Sequence, residues 1–262
     1  MFVDSHCHLE MEAYEKDRDN VIEKSLKNSI LYILTVGTDE GYFQRVNDLT
    51  EKYKNIFGAI GIHPHNSAQF NKGTEKKIKD YIKRNKKIVA YGEIGLDFFK
   101  NYSPRESQID VFIKQIYLAK ELKIPLIIHS RQARDETLEI LKETDASVNG
   151  GVIHCYSYDR EYLKRFLELD FYISIPGTIT YHDNKKLADV VRYAPIDRLL
   201  SETDAPFLTP VPFRGKRNEP SHVRYTVEKI AQLRGVDINE IASHIYKNFK
   251  TLFLREQKGD RA

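Results

Sequence analysis

Two histidines separated by one residue lie near the start of the chain, in a spacing that suits metal binding. His6 and His8 follow an apolar, strand-like run that begins near Phe2. Because side chains alternate from one face of a strand to the other, both rings point to the same side and can bind one ion. Neutral imidazole nitrogens are ligands that zinc and other first-row divalent metals prefer. The spacing therefore predicts a metal-binding pair at the end of the first strand.

Other histidines and carboxylates have the same placement at the ends of later apolar runs. Of the nine histidines, six lie at or directly after such a run, and the other three are expected in loops or on the surface. One ion needs three or four ligands, so this larger set predicts two ions, with Glu93 as the candidate bridge. Two cations that share a carboxylate can activate a water and stabilise both the attacking and the leaving oxygen of a phosphoester. The candidates are His6, His8, His63, His65, Glu93, His129, His154, Glu202 and Asp204.

The elements that must position these residues alternate between strand and helix. Eight short runs of β-branched and other apolar residues are separated by segments with helical spacing, a pattern typical of parallel sheets. Eight such units in 262 residues predict an α/β fold, a (β/α)8 TIM barrel, in which all strand ends meet at one face. The strands are expected to begin near Phe2, Ile30, Ile56, Ile88, Leu126, Val152, Phe171 and Leu199.

Two helical patterns follow the eighth strand, over residues 225–234 and 238–254. Gly235 is placed to end the first helix and Asp237 to cap the start of the second. The second pattern predicts an additional C-terminal helix that covers the outside of the barrel. Because no repeat or linker-like segment interrupts the pattern, we expect a single domain over residues 1–262.

The composition excludes several classes of protein. Hydrophobic residues make up 41% and charged residues 30% of the chain, which is typical of a soluble folded domain. The apolar runs are strand-sized, so no membrane span is expected, and the N-terminus lacks the pattern of a secretory signal. Only Cys7 and Cys155 are present, which argues against a disulfide framework. We expect a cytoplasmic protein with reduced thiols, and a monomer by default.

Basic residues are concentrated in two segments, although the net charge of +3 is too small to indicate a nucleic-acid binder by itself. Arg214, Lys216 and Arg217 occupy a glycine-containing loop after the eighth strand, where fixed cations would meet substrate phosphates. The basic run over residues 72–87 lies on a predicted outer helix and is expected to be a solvated face. The 16 tyrosines and 13 phenylalanines are spread through core-like segments, so no base-stacking stripe is expected.

Five motifs, read in order, carry a family resemblance. They are DSHCHL at 4–9, GIHPH at 61–65, GEIGLD at 92–97, ETDAP at 202–206 and RGKRNEP at 214–220. Together they resemble the TatD family of metal-dependent deoxyribonucleases, which belongs to the amidohydrolase-like barrels. The resemblance covers the chain from Met1 to about Phe253.

The resemblance implies a divalent-metal-dependent deoxyribonuclease that hydrolyses DNA phosphodiester bonds, typically as a 3′–5′ exonuclease with some endonuclease activity. DNA would be bound mainly through its phosphates, and the two ions would be magnesium, manganese or zinc. The family pattern implies one ion bound by His6, His8 and Asp204, a second bound by His129 and His154, and Glu93 as the bridge.

Further roles are expected for the residues around these ligands. Asp204 would orient or deprotonate the attacking water, and with Glu93 it forms the catalytic pair. Glu202 would support the metal ligands from behind. His63 and His65 would either hydrogen-bond the phosphate or help protonate the leaving oxygen, since they arrive from the third strand.

Two alternatives stay open. The same metal site could hydrolyse a different bond, either the ester of aminoacyl-tRNA, an activity also associated with this family, or an amide, as in the wider barrel superfamily. A third hypothesis, a nucleic-acid-binding module without turnover, predicts missing ligands, and the pattern lacks none. Cleavage assays with added metal distinguish these functions.

Overall fold

The computed structural model describes residues 1–254, in which eight parallel strands form a nearly closed barrel. Each strand pairs with the next one along the chain, so the predicted TIM barrel is confirmed. The end of the expected domain, residues 255–262, lies outside the described residues. Strands β6 and β7 each begin one residue from the expected position, and the other six begin where expected. The strands are β1 (Phe2–Cys7), β2 (Ile30–Gly37), β3 (Ile56–Ile60), β4 (Ile88–Asp97), β5 (Leu126–Arg131), β6 (Gly151–Ile153), β7 (Tyr172–Ile175) and β8 (Leu199–Ser201).

Helices connect the strands, and two helices follow β8. The Asp237 carboxylate accepts the backbone N–H of Asn239, and Gly235 adopts a left-handed conformation with φ of 67°. Both residues therefore cap the helices as the sequence predicted. The last helix, α9, packs against β1 and β8, which confirms the additional C-terminal helix. The helices are α1 (Arg18–Lys27), α2 (Phe43–Lys52), α3 (Lys72–Arg84), α4 (Arg105–Leu122), α5 (Arg134–Glu143), α6 (Arg160–Glu168), α7 (Lys185–Tyr193), α8 (Val223–Arg234) and α9 (Ile238–Phe253).

Glycines let β4 approach β5 closely on both sides of Glu93. At Gly95, with φ of 140°, a Cβ atom would lie 2.0 Å from the carbonyl oxygen of His129. At Gly92 it would lie 2.6 Å from the side chain of Ile127. Any larger residue would push the two strands apart, so these positions need glycine. The close approach brings Glu93 against the end of β5.

The barrel closes between β8 and β1 through a seam rich in side-chain hydrogen bonds. Only one backbone bridge joins the two strand ends within residues 1–254, between Cys7 and Ala205. Below it, the Asp4 carboxylate accepts the backbone N–H of Thr203 at 2.9 Å and the hydroxyl of the same residue at 2.6 Å. The Ser201 hydroxyl donates to the carbonyl of Val3 at 3.1 Å. These side chains replace part of the ladder that would otherwise close the barrel.

We expect Thr203→Val to destabilise the protein, because the buried Asp4 carboxyl group would lose its hydrogen bond with the Thr203 hydroxyl. The expected loss of unfolding free energy is about 1–3 kcal/mol, measured by urea denaturation. Thr226→Val is the matched control, since the buried Thr226 hydroxyl has no hydrogen-bond partner in the described chain. Equal losses in both variants would show that the seam hydrogen bond contributes nothing.

Candidate metal centre

Glu93 on β4 lies at the centre of a cluster of histidines at the carboxyl ends of the strands. Its buried Oε1 lies 2.6 Å from His129 Nδ1 and 2.9 Å from His154 Nε2, while Oε2 lies 3.4 Å from His6 Nε2. Burial by itself would raise the pKa of Glu93, but the neighbouring histidines, His154 first, outweigh burial and hold the pKa well below its usual value. The carboxylate is therefore ionised and faces imidazoles on two sides.

Asp204 closes the other side of the His6 and His8 pair. The two Nε2 atoms of the pair lie 3.3 Å apart, as the strand alternation predicted. Asp204 Oδ1 lies 3.4 Å from His8 Nε2 and 3.8 Å from His6 Nε2. The backbone N–H of Asp204 donates to the carbonyl of His6 at 2.9 Å, so the barrel seam itself positions this carboxylate.

The donor atoms form sets that fit divalent metal ions. Donor atoms of His6, His8 and Glu93 lie within 4.8 Å of one another, and so do donor atoms of His63, Glu93 and His129. Imidazole nitrogens combined with carboxylate oxygens suit zinc, manganese and related ions. The residues present therefore fit divalent metal, and Glu93 belongs to both sets.

The His8 nitrogen that points away from the cluster, Nδ1, contacts a backbone carbonyl and a carboxylate. Nδ1 lies 2.9 Å from the carbonyl oxygen of Val36 and 3.2 Å from Glu10 Oε1. The other oxygen of Glu10 accepts the Thr35 hydroxyl at 2.7 Å. Burial would lower the pKa of His8, but the hydrogen bonds with Asp204 and Glu10 raise it well above its usual value. The contact at Nδ1 turns Nε2 towards the cluster.

Asp97, the last residue of β4, supports His129 in a similar way. Its Oδ2 lies 3.3 Å from His129 Nε2 and 2.9 Å from His65 Nε2. Its Oδ1 accepts the backbone N–H groups of Phe99 and Lys100. Asp97 ends the GEIGLD motif, and no role was predicted for it from the sequence. Strand alternation contains a signal for it, because residues 93 and 97 fall on the same face of an extended strand.

Glu202 lies buried behind His154 and His6. Its Oε1 accepts the backbone N–H of Cys155 at 2.7 Å and lies 3.3 Å from His154 Nδ1. The rings of His6 and His154 stack with centroids 3.9 Å apart. Donor atoms of His6, His154 and Glu202 lie within 4.8 Å of one another. The Glu202 side chain therefore faces the two histidine rings from the buried side and does not reach solvent.

His63 and His65 lie on the more open side of the cluster. His63 Nε2 is 3.5 Å from Glu93 Oε1, and the ring of His65 packs against the ring of Tyr102 at 4.7 Å. The backbone N–H of His65 donates to His63 Nδ1 at 3.1 Å. A neutral His63 ring therefore carries its proton on Nε2, towards the centre.

The three basic residues of the loop after β8 differ in their surroundings. Arg214 and Lys216 are exposed, and Arg214 stacks over the ring of Tyr181. Arg217 instead forms a two-point ion pair with Asp17, at 2.9 and 2.6 Å, and donates to the carbonyl of Ala13. Its guanidinium anchors the loop to the segment before α1, a partner that the sequence pattern could not indicate.

The other residues singled out in the sequence lie away from the histidine cluster. The basic run over residues 72–87 includes helix α3, where Lys77 pairs with Glu40 and Lys79 pairs with Glu75 and Glu121. No helix within residues 1–254 is long and apolar enough to cross a membrane. The three histidines outside the strand register, His182, His222 and His244, lie in an exposed loop, at the start of α8 and on α9, respectively.

The chain is similar to known proteins both in sequence and in structure. The profile of a family described as TatD related DNase matches residues 3–254. The chain is 42% identical to the uncharacterized metal-dependent hydrolase YabD of Bacillus subtilis, over 97% of this chain and 99% of the relative. It is 33% identical to the 3′-5′ ssDNA/RNA exonuclease TatD of Shigella flexneri, over 95% and 98%. The crystal structure of YjjV, a TatD homolog of Escherichia coli, superposes with a TM-score of 0.91 at 32% identity, over 97% and 98%.

Glu93→Ala should lower the amount of divalent metal that the protein retains, because the carboxylate contacts both groups of histidines. The measurement is metal per chain by mass spectrometry after loading and dialysis. Glu143→Ala, on the exposed face of α5, is the control for loss of one carboxylate. If the Glu93 variant retained as much metal as the control, the carboxylate would not be a ligand.

Proposed function

Since the chain belongs to the TatD family of metal-dependent hydrolases, we propose that it is a divalent-metal-dependent deoxyribonuclease that hydrolyses DNA phosphodiester bonds, acting as a 3′–5′ exonuclease. The observation that carries this proposal is the position of Glu93, whose two oxygens face different histidines. A carboxylate shared in this way suits two cations, the arrangement used for in-line displacement at phosphorus. Because the ligands come from strands all around one barrel, the activity would belong to a single domain.

The ligand assignment follows from the nitrogen atoms that face Glu93 and Asp204. His6 and His8 would hold one ion with Asp204, His129 and His154 would hold the other, and Glu93 would contact both. Magnesium, manganese and zinc all suit this set. When bound, such ions lower the pKa of water and neutralise charge on phosphoryl oxygens.

The protein residues would then position the substrate and move a proton. The side chain of Asp204 is 15% exposed against 4% for Glu93, so Asp204 is the carboxylate that an attacking water can reach. It would orient that water and accept its proton. His63 would donate its Nε2–H to a phosphate oxygen, and Asp97 would hold the ring of His65 beside it.

The loop after β8 would contact the phosphates of the DNA. Arg214 and Lys216 have exposed side chains there, and Arg217 would contribute by fixing the loop through Asp17. This division of roles depends on the ion pair of Arg217, which leaves the other two cations to meet the backbone of the substrate.

Metal-stripped protein should not shorten an end-labelled single-stranded DNA, and added magnesium or manganese should restore stepwise shortening from the 3′ end. Products resolved by length over time measure both activity and direction, and Glu93→Ala serves as the inactive control. Absence of cleavage with either ion, in a preparation that retains metal, would reject the nuclease proposal. The ester of aminoacyl-tRNA would then be the next substrate to assay.

The double variant Arg214→Ala and Lys216→Ala should bind DNA more weakly and with a shallower salt dependence, while its metal content stays unchanged. The slope of log affinity against log salt should fall by about 0.7 for each phosphate of a single strand that the variant no longer neutralises. Lys83→Ala with Lys86→Ala removes the same charge from exposed positions at and after the end of α3 and should leave the slope unaltered. Equal slopes for both double variants would show that the loop after β8 does not contact the DNA phosphates.

A further inference from the structure

Two large aromatic side chains are exposed beside the candidate metal centre. Phe99 is 50% exposed and Tyr102 is 68% exposed, and both lie in the loop that connects β4 to α4. This loop follows the carboxyl end of β4, so it is on the same face of the barrel as the metal-binding candidates. Neighbouring exposed rings of this size mark an interaction site more often than isolated ones do.

Positive charges accompany these rings. The guanidinium of Arg131, at the end of β5, lies 4.0 Å from the centre of the Phe99 ring. The ammonium of Lys100 lies 5.8 Å from the Phe99 ring and 5.9 Å from the Tyr102 ring. Neither cation forms an ion pair within residues 1–254, in contrast to Arg217. The patch therefore combines flat apolar faces with unneutralised positive charge.

A short chain of contacts connects the patch to the metal centre. Asp97 binds the backbone of Phe99 and Lys100 through Oδ1 and faces His129 through Oδ2. The ring of Tyr102 packs on His65, and the Ser103 hydroxyl donates to the carbonyl of His65 at 2.8 Å. A single carboxylate thus separates the aromatic loop from a candidate metal ligand.

A cavity lies beside Arg131, and a third exposed ring lies on the other side of the metal centre. Arg131 and Arg134 line a cavity of about 580 Å³ there, and the carboxylates of Asp135 and Glu136 line it too. Across the barrel mouth, Phe207 is 50% exposed and lies 6.2 Å from the ring of His8. A strand that crosses the metal centre would therefore meet an exposed aromatic ring on either side.

We propose that Phe99, Lys100, Tyr102 and Arg131 form a base-stacking subsite for single-stranded nucleic acid, which rests on the proposed nuclease function. Unpaired bases offer free faces to the two rings, and the flanking phosphates match the two cations. Duplex DNA keeps its base faces stacked and cannot use the rings in this way. No stacking surface was expected from the sequence, because its aromatics show no stripe. The two rings lie in the loop after β4 and the arginine ends β5, and only the fold brings them together.

The test compares a single strand that carries all its bases with one in which the bases nearest the 3′ end are replaced by abasic residues. Binding is measured by fluorescence anisotropy with metal-stripped protein, so that the strands stay intact. Wild-type protein should bind the intact strand about tenfold or more tightly than the abasic strand. The double variant Phe99→Ala and Tyr102→Ala should lose most of that ratio, because without the rings the bases have nothing to stack on and removing them changes the affinity little.

Controls separate stacking from charge and from general damage. Tyr117→Ala removes a tyrosine on α4 that is 54% exposed and has Lys120 over its ring at 5.9 Å, and it should keep the full ratio. Tyr102→Phe retains the aromatic face and should also keep the ratio. The double variant Phe99→Leu and Tyr102→Leu retains apolar area but has no aromatic face, and it should lose the ratio. An RNA strand of the same sequence should show the same loss in the alanine variant.

The outcomes distinguish this inference from the proposed function. If the wild-type ratio survives in the alanine variant, the subsite is wrong even if the enzyme cleaves DNA. If the ratio is lost in that variant but no metal supports cleavage by wild-type protein, the stacking subsite stands and the nuclease proposal fails. In metal-loaded protein, the alanine variant should raise KM for the intact strand with unchanged metal content.

Discussion

A buried carboxylate is stable in its ionised form only when hydrogen-bond donors or cations surround it, and the mouth of this barrel is organised around one such group, Glu93. Nitrogen atoms reach it from β5, from the residue after β6 and from β1. The glycines beside it allow β4 to lie close enough to β5 for the shortest of these contacts. The requirement to satisfy one charge therefore explains both the choice of ligand types and the local packing of the strands.

Further polar groups lie against the histidine nitrogens that point away from Glu93. The imidazole of His8 turns its outer nitrogen to Val36 and Glu10, that of His129 to Asp97, and that of His154 towards Glu202. Hydrogen bonds at both nitrogens fix the orientation of the His8 and His129 rings, whereas Nδ1 of His154 lies near Glu202 without a hydrogen bond to any of the described residues. Asp97 has a second effect, because it also holds the loop that carries Phe99. Ligand geometry and the shape of the adjoining surface thus depend on a single side chain.

Periodicity predicted the barrel and the cluster because both depend on local rules. Alternation along β1 was enough to put His6 and His8 on one side, and the common face of parallel strand ends was enough to gather Glu93, His129 and His154. Partners that depend on loop paths were not predictable in this way. Arg217 pairs with Asp17 across 200 positions of the chain, and Phe99, in the loop after β4, packs against Arg131 at the end of β5. Neither pair has a spacing that a period could reveal.

The seam between β8 and β1 has a consequence for the order of folding. Asp4 and Thr203 are separated by 199 positions, so their hydrogen bonds form only after a very long loop has closed. Asp204, which follows directly, reaches His6 and His8 through the same closure. A nascent chain that lacks its eighth strand therefore holds the two histidines without Asp204. The complete set of donor atoms is therefore assembled only when the barrel closes.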